Sequence, residues 1–389
     1  MLASIFSDPQ KFVRCGLLFL AYVLSLSIFL KLSHSLYELH FDKNTGRAEI
    51  DIDFNAYMTG ALIVKNKPKS LYNAEVQRHT QEIYLGKSLD AFLSFRNTPL
   101  VAFMFIPYTN ISTSSAYLVN YFVQILLTIL YILLLTVFVG YKKFLIPLAL
   151  IFLPTVCCPL YGQIAIVIAL VLLVTYHLVR SDKYFWAGVV SSFLLLKIQY
   201  IIFIPYLFLI IKRKKQYFVG LIISLFLLVI VDTLIYRDFY LVDYVIFLVE
   251  SEKAAMGTDL TGLFTVTAFL RNTGFPNNTS YLITTGLYIA SLALVGIKKS
   301  KVSLEKIFAS IIIFILSLNF HTALVDLIFV LIPIFILANI EENKTNFLIL
   351  ILFLVPMAST FGLQGLAGAI LFITALCLLN PFSKHKLPI

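Results

Sequence analysis

The chain has 389 residues, of which 60% are hydrophobic and 13% are charged, and its formal net charge is +10. Soluble globular domains carry about 25% charged residues, so this composition excludes an ordinary water-soluble fold. The positive charge does not indicate nucleic-acid binding. Its lysines and arginines fall in short clusters between apolar runs, as they do in the cytoplasmic loops of membrane proteins.

The apolar runs predict an all-α polytopic membrane protein with about 12 transmembrane helices. The first run, 13–32, begins beside Lys11 and Arg14, and we expect a membrane anchor with its N-terminus inside. We interpret 1–389 as a single membrane domain that ends in a C-terminal helical module, 279–389. The further runs are 115–140, 145–160, 163–179, 184–197, 198–211, 217–236, 279–297, 304–321, 322–340, 345–358 and 365–380.

The loop charges predict that both termini are cytoplasmic. Every loop that this topology places inside carries a cation, and 212–215 consists of four of them. The short outside turns carry almost none, apart from Lys197. This asymmetry is typical of membrane proteins. We expect a multi-pass protein of the cell membrane, of prokaryotic origin.

Two polar stretches on the external side are long enough to build a site. The first external loop, 33–114, is predicted to carry the catalytic region, and the second is 237–278. Within the first loop, 56–64 predicts a short helix that begins after Asp53. Segment 99–107 is apolar but too short to span, so we expect a re-entrant or interfacial segment.

Two carboxylates, Asp51 and Asp53, stand two residues apart in the first external loop. A carboxylate of this kind can act as a base for a hydroxyl nucleophile. The residues alone leave two other interpretations open, namely solvated loop acids and a metal pair. Two further acids, Asp232 and Asp326, lie inside apolar runs, where acids are functional candidates, but no motif includes them.

Short motifs follow Asp53 along the chain in a recognisable order. They are Asp53-Phe54 with Tyr57, Gly60-Ala61, Leu71-Tyr72 with Gln77 and Gln81, Phe95-Arg96-Asn97-Thr98-Pro99, Tyr161-Gly162-Gln163, Lys197, Thr258-Asp259 and Asn319-Phe320-His321. In this order and spacing, 50–325 resembles glycosyltransferase family 87, the polyprenol-phosphate-mannose-dependent mannosyltransferases of the glycosyltransferase-C superfamily. Asn73, Thr98 and Ile198 depart from the family pattern.

The resemblance implies a membrane glycosyltransferase that moves a sugar, mannose or a related hexose or pentose, from a polyprenyl-phosphate donor. The acceptor is a lipid or a glycan, and transfer occurs on the outer face with inversion. Asp53 is the implied base and Asp51 the second candidate. The resemblance implies no metal and no cofactor, and it names membrane lipids but no nucleic acid among the partners.

The resemblance also implies a set of residues that bind substrate. They are Tyr57, Arg96, Gln163, Lys197, Asp259 and His321. Simpler roles remain open for several of them: Arg96 suits a cation at the membrane interface, and Tyr57 and Gln163 suit packing positions.

Two other functions fit a polytopic protein. A transporter or flippase of lipid-linked sugars is expected to show two related halves, and no internal repeat is visible. A lipid-linked glycan polymerase or ligase is expected to place arginines in a large late external loop. Here the later loop is modest and carries Arg237 and Arg271.

Overall fold

The computed structural model describes residues 9–40, 52–89, 92–140, 142, 144–253, 262–340 and 343–379. All regular secondary structure in these ranges is helical. The first nine α-helices of the described ranges are α1 (Pro9–His40), α2 (Asp53–Asn66), α3 (Ala74–Leu85), α4 (Pro99–Met104), α5 (Thr113–Phe138), α6 (Leu145–Ile151), α7 (Leu153–Tyr161), α8 (Ala165–Arg180) and α9 (Tyr184–Ser191).

The α-helices of the second half of the chain continue the numbering. They are α10 (Phe203–Ile210), α11 (Lys214–Tyr236), α12 (Leu241–Lys253), α13 (Val266–Asn272), α14 (Asn277–Lys298), α15 (Leu304–Leu318), α16 (Leu331–Ala338), α17 (Asn343–Leu354) and α18 (Gln364–Leu378). Segments of 3₁₀-helix stand between them at Pro68–Ser70, Ile106–Asn110, Ser192–Ile202, Leu324–Val330 and Val355–Phe361.

The membrane character of the chain is carried by four helical stretches that are each long and apolar enough to cross a bilayer. They are Thr113–Phe138, Tyr184–Ile210, Lys214–Tyr236 and Asn277–Lys298. The twelve predicted spans are not confirmed, because other predicted runs form shorter or interrupted helices. One example is 145–160, which Phe152 divides into α6 and α7 by adopting an extended conformation (φ −63°, ψ 122°).

The predicted spans 184–197 and 198–211 both lie within the helical stretch Tyr184–Ile210. This stretch is interrupted at Lys197, whose backbone is not helical (φ −133°, ψ 84°). Each arm has about 13 residues, which at 1.5 Å per residue reaches about 20 Å, less than the roughly 30 Å of hydrocarbon in a bilayer.

The two arms of this stretch form a hairpin. Helix α9 runs in the same direction as α11, because Gly188 contacts the backbone of Tyr217 and, one turn further on, the Ser192 hydroxyl is bonded to the Ser224 hydroxyl at 2.7 Å. Helix α10 ends only three residues before α11 begins, so it ends at the level where α9 begins. The chain therefore goes out and back, and Lys197 lies at the turn.

Helix α2 is the part of the first external loop that the structure buries most deeply. The predicted helix 56–64 is confirmed and extends over Asp53–Asn66. Its small residues permit this burial, since a Cβ added at Gly60 would lie 2.8 Å from the Phe95 ring. In the first turn of α2, the Phe54 ring packs against the rings of Phe105 and Tyr117, with centroid distances of 6.1 and 5.6 Å.

Candidate active site

A cavity of about 450 Å³ opens between α2, the Lys197 turn and the second external region. Its volume falls in the range of about 300–1,000 Å³ that is usual for small-molecule sites. It is lined by Asp53, Ala56, Tyr57, Leu93, Ser94, Arg96, Asn97, Gln163, Lys197, Ile198, Gln199, Leu248, Val249, Tyr281, Phe320 and His321.

The cavity brings together six of the residues that the sequence proposed for the site, although they come from distant parts of the chain. They are Asp53, Tyr57, Arg96, Gln163, Lys197 and His321. The other two, Asp51 and Asp259, lie outside the described residues.

Asp53 is the first residue of α2 and reaches the cavity from the N-terminus of that helix. Burial raises the pKa of its carboxyl to about 6, although the positive charge of Lys197 and a hydrogen bond with the Gln163 side chain oppose this rise. A carboxyl group with a pKa near 6 is deprotonated at neutral pH but still basic enough to accept a proton from a reacting hydroxyl.

Gln163 reaches Asp53 because the turn between α7 and α8 lies very close to α2. Gly162 makes this approach possible, since its backbone is left-handed (φ 64°) and a Cβ there would lie 2.7 Å from the Asn120 amide nitrogen and 2.9 Å from the Phe54 Cβ. Only glycine adopts such a conformation without strain and without a side chain to displace its neighbours. The glycine before Gln163 is therefore explained by its left-handed backbone and by the close contact with Asn120 and Phe54.

Lys197 is held by two buried partners. Its ammonium group donates to the Gln163 side-chain oxygen at 2.8 Å and forms an ion pair with Asp326. Lys197 is 7% exposed and Asp326 is fully buried. An ammonium group has three donors, and the third makes no hydrogen bond with a described residue, so it remains available to a ligand in the cavity.

Asp326 itself is fixed by the backbone. Its second carboxylate oxygen accepts the N–H of Ala323 at 3.1 Å, at the start of the 3₁₀ segment Leu324–Val330. Removing a charged partner from a buried pair leaves an uncompensated charge, which typically costs about 3–5 kcal/mol. The pair therefore joins the Lys197 turn firmly to the segment that follows His321.

His321 lies in the turn after α15, and this turn is tied to the Lys197 turn. The Gln199 side chain donates to the His321 carbonyl, and the Asn319 side chain donates to the Gln199 carbonyl at 3.2 Å. The Asn319 side chain also accepts the His321 N–H at 3.2 Å. These bonds fix the backbone on both sides of the imidazole.

Arg96 approaches the cavity from the extended segment that precedes α4. Its guanidinium donates to the Ser94 hydroxyl at 2.8 Å and to the Ser251 carbonyl of α12 at 3.1 Å. The described walls of the cavity thus combine one carboxylate, Asp53, with two permanent cations, Arg96 and Lys197. This arrangement suits a ligand that has a hydroxyl to deprotonate and an anionic group to hold.

The family model of glycosyltransferase family 87 matches residues 95–316, more than half of the chain. The chain belongs to glycosyltransferase family 87. With the apolar helices, this membership makes it a membrane glycosyltransferase. No curated protein and no solved structure matches the chain.

The part of the chain matched by the family 87 model covers only some of the cavity. Arg96, Gln163 and Lys197 lie within it, whereas Asp53 and His321 lie outside it. The association of these two with the family 87 residues rests on their position in the same cavity.

In this family 87 protein, two glutamines of α3 hold the segment that carries Arg96. Gln77 accepts the N–H of Phe95 at 2.8 Å and donates to its carbonyl at 3.3 Å. One helical turn later, Gln81 makes the same pair of bonds with Leu93, at 2.9 and 3.1 Å. The two glutamine side chains thus make hydrogen bonds of the kind that a neighbouring β-strand would make, and the segment stays extended.

Tyrosines near the C-terminal end of α11 hold the same segment from the other side. The Tyr72 hydroxyl donates to the Asn97 carbonyl and the Tyr244 hydroxyl to the Arg96 carbonyl, each at 3.0 Å. The carboxylate of Asp232, within α11, accepts the N–H of Leu100 in the first turn of α4. The apolar helix α11 therefore caps α4.

Asp326 and Asp232 are the residues of this family 87 site that motif reasoning did not include. Both are acids inside apolar runs, where a charge requires a partner. Lys197 is likewise a lone cation between apolar stretches, so the pairing of Lys197 with Asp326 had a signal in the sequence. The capping of α4 by Asp232 had none, because its partner is a backbone N–H.

Proposed function

We propose that the protein transfers a sugar from a polyprenyl-phosphate donor to a hydroxyl group of a lipid or glycan acceptor on the outer face of the cell membrane. Asp53 acts as the base and the anomeric configuration is inverted. The proposal rests chiefly on one observation: Asp53, with a pKa of about 6, lines the same cavity as the cations Lys197 and Arg96.

The reaction consists of one displacement. Asp53 takes the proton of the acceptor hydroxyl while the oxygen of that hydroxyl forms a bond with the anomeric carbon. The bond between that carbon and the phosphate oxygen breaks, and its electron pair leaves with the polyprenyl phosphate. The proton on Asp53 then passes to water. A phosphate is a good leaving group, so positioning and charge stabilisation are the main tasks left to the protein.

The cations suit the phosphate in this reaction. Arg96 presents a planar fork of donors, which matches phosphate oxygens, and Lys197 has one donor left after its bonds to Gln163 and Asp326. Because Asp326 neutralises much of the Lys197 charge, we assign the larger share of phosphate binding to Arg96, with His321 as a further contact. Lys197 chiefly keeps Asp53 deprotonated and orients Gln163.

The apolar part of the wall suits a lipid-borne donor. Val249 of α12 and Phe320 are both substantially exposed at the edge of the cavity. A polyprenyl chain that enters beside them would keep contact with apolar surface while its phosphate meets the cations. The second large external region thus contributes a lipid-facing edge to the cavity, which a soluble sugar nucleotide would not need.

The decisive experiment incubates the purified full-length protein with a panel of radiolabelled polyprenyl-phosphate sugars and membrane lipids, and separates the products by thin-layer chromatography. Wild-type protein is expected to form a labelled product from one donor, and Asp53→Asn to lose at least a thousandfold in rate while it still binds that donor. Asp238→Asn is the matched control, because Asp238 is an exposed acid outside the cavity.

Three results would count against this function. Wild-type activity in Asp53→Asn would remove the assigned base. A product with retained anomeric configuration would exclude the single displacement. Counterflow of intact donor in proteoliposomes, with no chemical product, would favour a transporter instead.

A further inference from the structure

A second concave surface lies at the other end of α2 from Asp53. It is a groove of about 490 Å³ between the C-terminal end of α2, α4 and the outer half of α11. None of its lining residues lines the cavity that contains Asp53. The groove is therefore separate from the proposed active site.

The groove combines an apolar wall with two cations. Phe103 of α4 and Val231 and Leu234 of α11 are exposed apolar residues in its wall. Lys65 and Arg237 stand at the ends of α2 and α11 and also line it. An apolar surface that ends in paired cations matches the two parts of an anionic lipid, an acyl chain and a phosphate.

Neither cation is neutralised by a carboxylate in the described part of the chain. The Lys65 ammonium donates only to uncharged oxygens, those of the Thr109 hydroxyl at 3.1 Å and the Asn110 amide at 2.8 Å. Asp238 directly follows Arg237 but pairs with Lys69 instead, at 2.8 Å. The positive charge of the groove is therefore open to an anion from outside.

The backbone of Arg237 gives an independent indication. It adopts the left-handed conformation (φ 61°, ψ 23°) at the C-terminal cap of α11. Glycine or asparagine usually takes this position, because a larger residue is strained there. Strained residues of this kind concentrate at binding sites, where the surrounding structure holds a side chain in a required place.

We propose that this groove binds an anionic glycerophospholipid of the membrane. Its phosphate lies between Lys65 and Arg237, and one acyl chain lies along Phe103 and Leu234. The proposal does not depend on the identity of the sugar donor. A lipid in the groove would contact α4, whose preceding residues carry Arg96, so it would also support the wall of the active site.

The test is native mass spectrometry of the full-length protein in detergent with phosphatidylglycerol or phosphatidylcholine of the same acyl chains. Wild-type protein is expected to retain phosphatidylglycerol at least fivefold better than phosphatidylcholine. Lys65→Gln with Arg237→Gln should reduce this preference to about one. Lys212→Gln with Lys215→Gln is the matched control, since these exposed lysines lie at the opposite end of α11.

A further variant keeps both cations and tests the volume of the groove. Leu234→Trp should fill the groove and lower phosphatidylglycerol retention while both cations remain. The melting temperature in lipid-free detergent, measured for each variant, shows whether the protein is folded. The proposal is overturned if folded Lys65→Gln/Arg237→Gln keeps the wild-type preference, if the control pair loses it equally, or if wild-type protein shows no preference. If Lys65 and Arg237 served only to stabilise the helix ends, the folded double variant would keep the wild-type lipid preference.

Discussion

Lys197 and Asp326 form a buried ion pair across 129 residues of sequence, and they join the turn of the α9–α10 hairpin to the segment after α15. Both residues are buried, so each compensates the charge of the other. Because Lys197 also contacts Gln163, the pair connects the scaffold directly to the side chain that meets Asp53.

Single substitutions of this pair should be more damaging than the double substitution. Lys197→Gln or Asp326→Asn leaves one buried charge without its partner, at a cost of about 3–5 kcal/mol. Their combination leaves neither charge of the pair, so its effect on the melting temperature in detergent should be smaller than that of either single substitution. The exposed pair Lys69 and Asp238 is the control, for which about 0–1 kcal/mol is expected. Additive effects at Lys197 and Asp326 would show that the pair does not join the two segments.

The rate of transfer should depend on pH through Asp53. A general base works only when it is deprotonated, and burial raises the pKa of this carboxyl to about 6. The value of kcat/KM should therefore fall about tenfold for each pH unit below about 6 and level off above it.

The Lys197 charge lowers the pKa of Asp53, so Lys197→Met should move this acidic limb to higher pH. Asp238→Asn should leave the limb in place, since Asp238 lies outside the cavity. A profile that is flat between pH 5 and 8 in wild-type protein would rule out Asp53 as the base.

Two glycine substitutions should have opposite results. Gly162→Ala places a Cβ 2.7 Å from the Asn120 side chain at a left-handed position, so we expect a loss of at least about 1–2 kcal/mol in stability and a marked loss of activity. Gly286→Ala, in the middle of α14 with no atom within 4 Å, should be neutral or stabilising by up to about 1 kcal/mol. Thermal melting and turnover of both variants check this, and equal behaviour would contradict the steric role of Gly162.

The glutamine that holds Phe95 should affect substrate binding as well as stability. Gln77→Leu removes both bonds to the Phe95 backbone and leaves buried polar groups unsatisfied, each at a cost of about 1–3 kcal/mol. Arg96 is one residue further on, so its position should loosen and KM for the donor should rise several-fold. His79→Leu, at an exposed position of α3, is the control. An unchanged KM in folded Gln77→Leu would limit Gln77 to a structural role.

The sequence alone predicted the class of fold, whereas the structure does not confirm the number of spans. Apolar composition and loop charges indicated a helical membrane protein, and the four long stretches agree with that. The count of about 12 is not confirmed, because hydropathy records which segments avoid water and not whether they cross the bilayer. The arms on either side of Lys197 are as apolar as spans, and their reversal at Lys197 agrees with the turn predicted between 184–197 and 198–211.

Motif order predicted much of the cavity, since six of its lining residues were named from the sequence. The rest is carried by interactions that leave little trace in a single chain. The bonds of Gln77 and Gln81 go to backbone groups, and so do those of Tyr244 and Asp232. A residue of any type can supply a backbone partner, so such bonds cannot be inferred from residue identities.

The capping of α4 by Asp232 has a practical consequence for engineering this protein. The first external loop cannot be treated as an exchangeable module, because α11 and α12 complete its hydrogen bonds. A chimera that receives only this loop from a relative would lose the acceptors and donors that shape it. Exchanging the loop together with α11 and α12 would preserve these hydrogen bonds.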